Sequence, residues 1–241
     1  MGLTYFNWSS GKDSALALFQ IQNEKSFHIS KLVTTVNSEY DRVSMHGLRN
    51  ELLDNQARAL GIPLKKIELP GDVSMSEYDS KMKEEIQSLK LEGYTRCIFG
   101  DIFLEDLRLY REEKLEEVGV KATFPLWKRD TKKLIKKFVD LGFKAITVCV
   151  NAKHLEESFC GRLIDDNFIN ELPDNVDPCG ENGEFHTFVF DGPIFKYPIN
   201  FTLGKKVLRS YKPSKKKDDN CFNDDEATNW DNSFWYCDLL P

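Results

Sequence analysis

The run Leu3-Thr4-Tyr5-Phe6-Asn7-Trp8-Ser9-Ser10-Gly11-Lys12-Asp13-Ser14-Ala15-Leu16-Ala17-Leu18-Phe19-Gln20-Ile21-Gln22 decides the fold. Residues 3–8 form a short aromatic-rich stretch with the character of a buried strand, whereas Ala15, Leu18, Phe19 and Gln22 recur at the spacing of one helix face. Only Ser9-Ser10-Gly11-Lys12 joins the two, so the chain turns tightly from strand into helix. Such a junction leaves backbone N–H groups unpaired at the positive end of the helix dipole, where an anion is favoured.

Working outward, the same hand-over repeats. A strand at 29–36 ends in Asn37-Ser38, and a helix at 47–60 is closed by Gly61 with Pro63 just beyond. Strands at 64–69, 96–99 and 122–124 then alternate with helices at 74–92 and 104–118. This alternation predicts an α/β fold with a parallel sheet. Ligands of such sheets sit beyond the carboxyl ends of the strands, so the loops at 9–12, 37–46 and 100–103 should converge on one crevice. After Trp127, a basic-faced helix at 131–141 and a strand at 144–150 either extend the sheet or open a second unit. Beyond Asn151 the rhythm breaks: a helical stretch to Phe168, turns at 172–183, and β-like runs at 184–190 and 199–208 suggest a smaller α+β domain. The expected division is 1–127 and 128–241, with the boundary between 127 and 150. Lys215-Lys216-Lys217 and the acidic residues after it read as a solvated linker, and Trp230, Phe234, Trp235 and Tyr236 as aromatics that dock on the body.

Of 241 residues, 41% are hydrophobic, enough for a sizeable core. The net charge of −6 provides no global basic field, which disfavours nucleic acid as a partner. No apolar run approaches the ~20 residues that span a bilayer, so no membrane association is expected. The first positive charge is Lys12 and no signal-peptide n-region precedes it, which makes the cytoplasm the expected location. The six cysteines include no C-x-x-C pair and should be reduced thiols, without a disulfide framework or zinc site.

In Ser9-Ser10-Gly11-Lys12-Asp13-Ser14 the hydroxyls of Ser9, Ser10 and Ser14 add donors, Gly11 admits close backbone approach and Lys12 brings a positive charge. The loop is not a Walker A loop, because no glycine stands five residues before the Gly-Lys pair and Asp13 follows the lysine. The plainer alternative is that Ser9 merely caps the helix. At 37–47, the polar run Asn37 to Gly47 exceeds the usual ~4–6 residues of a connection, which favours a functional loop. At the tip of a parallel strand, Gly100 lets a ligand come close, while Asp101 either meets that ligand or caps the next helix. Arg108 and Arg111 read as one salt-bridged helix face with Glu105 and Glu112, or as phosphate contacts. In 179–187, two glycines, Glu181, Glu184 and His186 enter a strand whose alternation puts Glu184 and His186 on one face, with Phe185 and Thr187 on the other. A Glu/His pair of that kind suits binding an amine or relaying a proton. A turn followed by a solvent-facing strand half has the same look.

The ordered set NWSSGKDSALAL at 7–18, MHG at 45–47, QARALGIP at 56–63, GDI at 100–102, TFPLW at 123–127 and GENGEFHTFVFDGP at 180–193 resembles the diphthine–ammonia ligase family. That family lies in the adenine nucleotide α-hydrolase superfamily, whose SGGxDS loop serves cleavage of ATP between its α and β phosphates. The resemblance implies a HUP/Rossmann-like nucleotide-binding domain and ATP with Mg2+ as cofactors. It implies an ATP site of Ser9, Ser10, Gly11, Lys12, Asp13, Ser14, Val36, Met45, His46, Gly100 and Asp101. Backbone near Thr35 and Val36 would read the adenine edge, Met45 would pack on its ring and His46 would reach the phosphates, unless His46 is merely a histidine at a helix start. Asp101 would hold a ribose hydroxyl or magnesium. Glu181, Glu184, His186 and Thr187 would bind the acceptor and ammonia, with Lys12, Asp13, Glu184 and His186 as the catalytic set. The sequence departs from the family loop at Ser10, which stands where a second glycine is usual.

The implied reaction joins a carboxylate to free ammonium through an acyl-adenylate, releasing AMP and pyrophosphate. The family's acceptor is a modified histidine of elongation factor 2. A small carboxylate such as a cobalamin-salvage intermediate is the alternative acceptor, a non-catalytic ATP sensor is the alternative function, and a homo-oligomer is compatible with either.

Overall fold

The computed structural model describes residues 2–44, 46–71, 73–211 and 232–241. β1 (Leu3–Asn7) leads into α1 (Lys12–Glu24), and β2 (Ile29–Asn37) is followed by the two-residue β3 (Arg42–Val43) and α2 (Asn50–Leu60). β4 (Leu64–Leu69), α3 (Met75–Leu91), β5 (Tyr94–Ile98), α4 (Glu105–Glu116) and β6 (Lys121–Thr123) complete the first half. β4, β2, β1, β5 and β6 lie side by side in parallel, and the antiparallel β3 pairs with the end of β2 at Val36 and Asn37. At those two residues β4 takes one edge of β2, so β3 occupies the edge that the shorter β1 leaves open. Strand order reverses at β1, with β2 on one side and β5 on the other; that switch point is where such sheets open a ligand crevice.

Alternation along the strands explains the layering. Phe6, Leu32, Val36 and Ile98 face a core shared with α1 and α2, while Tyr5, Val33, Ile67 and Cys97 face a second one under α3 and α4. Helix ends follow local chemistry. Gly61, at φ 70°, closes α2 with its N–H on the carbonyls of Ala57 and Arg58, and Ser74 with Glu77 forms a capping box on α3.

α5 (Thr131–Asp140) leads to β7 (Lys144–Asn151), which opens a second sheet rather than extending the first. This sheet is antiparallel, in the order β8 (Phe185–Asp191), β7, β10 (Asn232–Leu240), β9 (Thr202–Tyr211). Its Val148, Val150 and Phe188 join the same core as Phe6 and Leu16. The terminal aromatics therefore do more than pack: Phe234, Trp235 and Tyr236 lie in an inner strand paired with both β7 and β9. Trp230 and the linker at 215–229 lie outside the described residues.

The helical stretch expected at 151–168 is not formed. Thr147 draws this segment in: its Oγ1 donates to the Phe159 carbonyl at 2.6 Å and accepts from the Arg162 N–H at 3.0 Å. These bonds hold a short 3-10 turn at Glu157–Phe159 and a left-handed Gly161, φ 77°. Only where the Asp165 carboxylate caps the Phe168 N–H does a helix begin, α6 (Asp166–Glu171). The five described cysteines are free and buried, and among the described residues no helix is long and apolar enough to cross a membrane.

Candidate active site

Ser9 to Ser14 sit at the carboxyl end of β1. Gly11 is extended and offers no side chain to cap α1, so the helix begins without a side-chain cap. Ser9 is therefore not the cap. Its hydroxyl meets the Ser14 hydroxyl at 2.8 Å and accepts from the Gly11 N–H at 3.3 Å, folding the loop on itself. Ser10 adopts φ 72°, the left-handed conformation that a glycine would take without strain. Its side chain is fully buried, and its Oγ has no hydrogen-bond partner among the described residues.

The second sheet closes directly over this loop. Thr187 Oγ1 accepts the Lys12 N–H at 3.0 Å, and the Val189 N–H donates to the Ser10 carbonyl at 3.0 Å. Gln56 ties the layers together: its Nε2 donates to the carbonyls of Ser10 and Val189, and its Oε1 accepts from the Trp8 indole. Sequence reasoning gave Gln56 no role, although it opens the QARALGIP motif. The Lys12 side chain is buried, with Nζ 2.8 Å from Asp13 Oδ2 and hydrogen-bonded to the Cys179 carbonyl. Burial alone would lower its pKa, but the Asp13 carboxylate overrides this and keeps the ammonium charged. Burial in turn lifts Asp13, against the pull of Lys12. With 27% of its side chain accessible, Asp13 is the charged group of the loop that faces outward.

His46 and His186 meet above Gly11. Their ring centroids are 4.7 Å apart, and a Cβ on Gly11 would lie 3.4 Å from His46 Nε2. Burial lowers His46 to about 3, helped by His186, and lowers His186 to about 4, helped by Lys12. Both rings are thus neutral at neutral pH. Met45 lies outside the described residues.

Glu184 stands just before β8, with its carbonyl accepting from the Asn151 N–H at 2.8 Å. One carboxylate oxygen accepts from the Asp177 N–H and the Asn182 amide, and the other from the Asn182 N–H, all at 3.0 Å, so the buried side chain braces its own turn. Asp177, which sequence reasoning passed over, accepts from the N–H groups of Cys179 and Glu181 in the same turn. Glu181 reaches across to the first sheet, with Oε1 accepting from the N–H groups of Ile102 at 2.7 Å and Phe103 at 3.3 Å. Burial and the nearby Asp13 push its carboxyl up to about 7.

The remaining sites are less open than expected. Gly100 makes room for protein: a Cβ there would stand 2.9 Å from the Ser14 nitrogen. Asp101 caps nothing, since Leu104 starts α4 without a side-chain cap; its carboxylate pairs with Arg111 at 2.6 Å. The Thr35 carbonyl accepts from the Ser44 N–H, and Val36 is buried between its β3 and β4 partners.

The structure thus gathers the Ser9–Ser14 loop, His46, Glu181, His186 and Thr187 at the switch point. Family comparison decides the class. The N-terminal domain model of diphthamide synthase matches residues 4–122, and the C-terminal domain model matches 130–216. The chain belongs to the diphthine–ammonia ligase family. Diphthine–ammonia ligase of Danio rerio is 26% identical over 226 residues, covering 84% of this chain and 87% of that protein. The Schizosaccharomyces pombe enzyme is 34% identical over 187 residues, covering 71% of this chain but 31% of its own length. The human enzyme is 26% identical over 135 residues, or 54% of this chain and 48% of that protein. As a member of the diphthine–ammonia ligase family, the chain is assigned to the ligases.

Proposed function

We propose that this protein is an ATP-dependent ligase that converts the carboxylate of diphthine on elongation factor 2 into an amide, using free ammonium and releasing AMP and pyrophosphate. Joining a carboxylate to ammonia in water requires an activated carbonyl, and adenylation supplies one. The observation that carries this reading is the uncapped Ser9–Ser14 loop at the switch point, held by the GEFHT strand so that nucleotide and acceptor face one another.

In this account the hydroxyls of Ser9 and Ser14 and the N-terminal N–H groups of α1 hold the phosphates. Lys12, already charged, exchanges the Cys179 carbonyl for the departing pyrophosphate, which removes a buried cation from one acceptor only by giving it a stronger one. His46 and His186, neutral, hydrogen-bond to the phosphates or acyl oxygen without adding charge. Glu181, titrating near neutrality, takes the proton that the attacking amine must lose. Thr187 and Glu184 act as positioning residues, one on the Lys12 amide and the other on the 177–184 turn. Val36 belongs to the adenine side and Gly100 to the packing of α1, while Asp101 fixes Arg111 at the rim.

No group of three or more His, Cys, Asp and Glu side chains among the described residues forms a metal cage. Magnesium held mainly by phosphates needs only one or two carboxylates, and the outward-facing Asp13 would supply one. When bound there, magnesium neutralises charge on the leaving pyrophosphate.

The test is incubation with magnesium-ATP, ammonium and diphthine-bearing elongation factor 2, followed by mass spectrometry of the modified peptide. Amide formation that depends on all three supports the reading, and intact ATP binding without amide formation overturns it.

A further inference from the structure

One arginine on the rim of the crevice, which the steps above do not use, is held ready for an anion. Arg108 and Arg111 lie three residues apart on α4, and each rests on rings supplied by the carboxyl ends of β5 and β6. Phe99 and Phe124 are stacked, with centroids 5.3 Å apart and planes 17° apart, and Trp127 adjoins Phe124 at 5.8 Å. Arg111 sits 4.5 Å over Phe99, and its charge is matched by Asp101 at 2.6 Å. Arg108 sits 4.6 Å over Trp127 and 5.3 Å over Phe124, and only its Nε is engaged, by Glu112 Oε1 at 3.0 Å. Its two terminal amino groups make no hydrogen bond among the described residues.

This is the preparation that a carboxylate receptor needs. Free arginine side chains lose much rotamer entropy on binding, whereas a guanidinium already held against two rings presents its terminal amino groups at less further cost. With only Nε bonded among the described residues, the terminal N–H groups remain to match a carboxylate bidentately. The surroundings favour an anion: Lys128 takes up Glu105, Arg111 takes up Asp101, and Glu112 meets Arg108 only at Nε. The shelf is also wired to the site. The Lys128 N–H donates to the Ile102 carbonyl at 2.7 Å, and the Ile102 N–H donates to Glu181.

We propose that Arg108, laid on Trp127 and Phe124, anchors the carboxylate-bearing end of the acceptor beside Glu181. The identity of that acceptor rests on the ligase reading above; the existence of the receptor does not. Two measurements separate them. In proton–nitrogen spectra of the full-length protein, the Nε–Hε signal lost in Arg108→Lys belongs to Arg108. Titration with glutarate should shift this signal saturably and leave that of Arg58 unmoved; no saturable shift up to about 50 mM overturns the receptor. In the amidation assay with diphthine-bearing elongation factor 2, Arg108→Lys should raise the acceptor KM about tenfold or more, as loss of a charge-assisted fork requires, while kcat and the KM for ATP stay within about twofold. A fall in kcat at unchanged acceptor KM overturns the anchoring role. If the native protein amidates nothing, the choice of acceptor fails, and the glutarate titration still decides the receptor.

Discussion

Ser10 carries two costs at a single position. A non-glycine residue in the left-handed region costs roughly 1–2 kcal/mol, and a buried hydroxyl without a partner among the described residues adds to that. Against these stands the extra chain entropy that glycine brings to the unfolded state, roughly 0.5–1 kcal/mol. Ser10→Gly should therefore stabilise the protein by about 1 kcal/mol and raise Tm by about 2–4 °C in a thermal melt; an unchanged or lower Tm would mean that Ser10 is unstrained. The sequence showed a small residue in place of glycine, but neither the φ angle nor the missing partner, since both depend on how β8 closes over the loop. Glu184 is a related case: alternation puts it on the face of His186, but the turn before β8 claims its carboxylate, a bond that no strand period records. The motifs of Lys12 and His186 are local, and the structure brings the two residues together.

At the scale of elements, the site depends on how closely β5 approaches the start of α1. Gly100 is the contact point, and a Cβ there would meet the Ser14 nitrogen at 2.9 Å and the Asp13 carbonyl carbon at 3.0 Å, backbone that cannot swing aside. Gly100→Ala should displace the first turn of α1, costing about 1–3 kcal/mol in denaturant unfolding and weakening ATP binding at least tenfold by calorimetry. Native ATP affinity in this variant would show that the first turn of α1 does not hold the phosphates. The alternating β–α units of the first half were readable because both sheet faces are buried, which leaves short apolar strands between amphipathic helices. The 151–168 segment and β10 were not readable in the same way. Thr147 organises the first from outside it, and β10 is drawn in between β9 and β7, the latter far away in sequence, which no local period records.

The molecule as a whole unites two sheets on one core, with its titrating groups gathered at their seam. His46 and His186 are lowered from 6.5 to about 3 and about 4, so the unfolded chain binds more protons below pH 6.5 and stability falls as pH drops from there toward 3. Glu181 is raised from 4.5 to about 7, so the stability it favours is complete below pH 4.5 and is lost as pH rises through 7. A plot of Tm against pH should show both limbs, with Glu181→Gln flattening the alkaline limb and His46→Gln reducing the acid one. Unaltered limbs in these variants would place the titrating groups elsewhere. The central claim, that the loop after β1 grips ATP so that the bond between its α and β phosphates breaks, is tested most directly by phosphorus NMR during amidation of diphthine-bearing elongation factor 2. The account predicts AMP and pyrophosphate accumulating one for one with the amide, and ADP with inorganic phosphate in their place would contradict it.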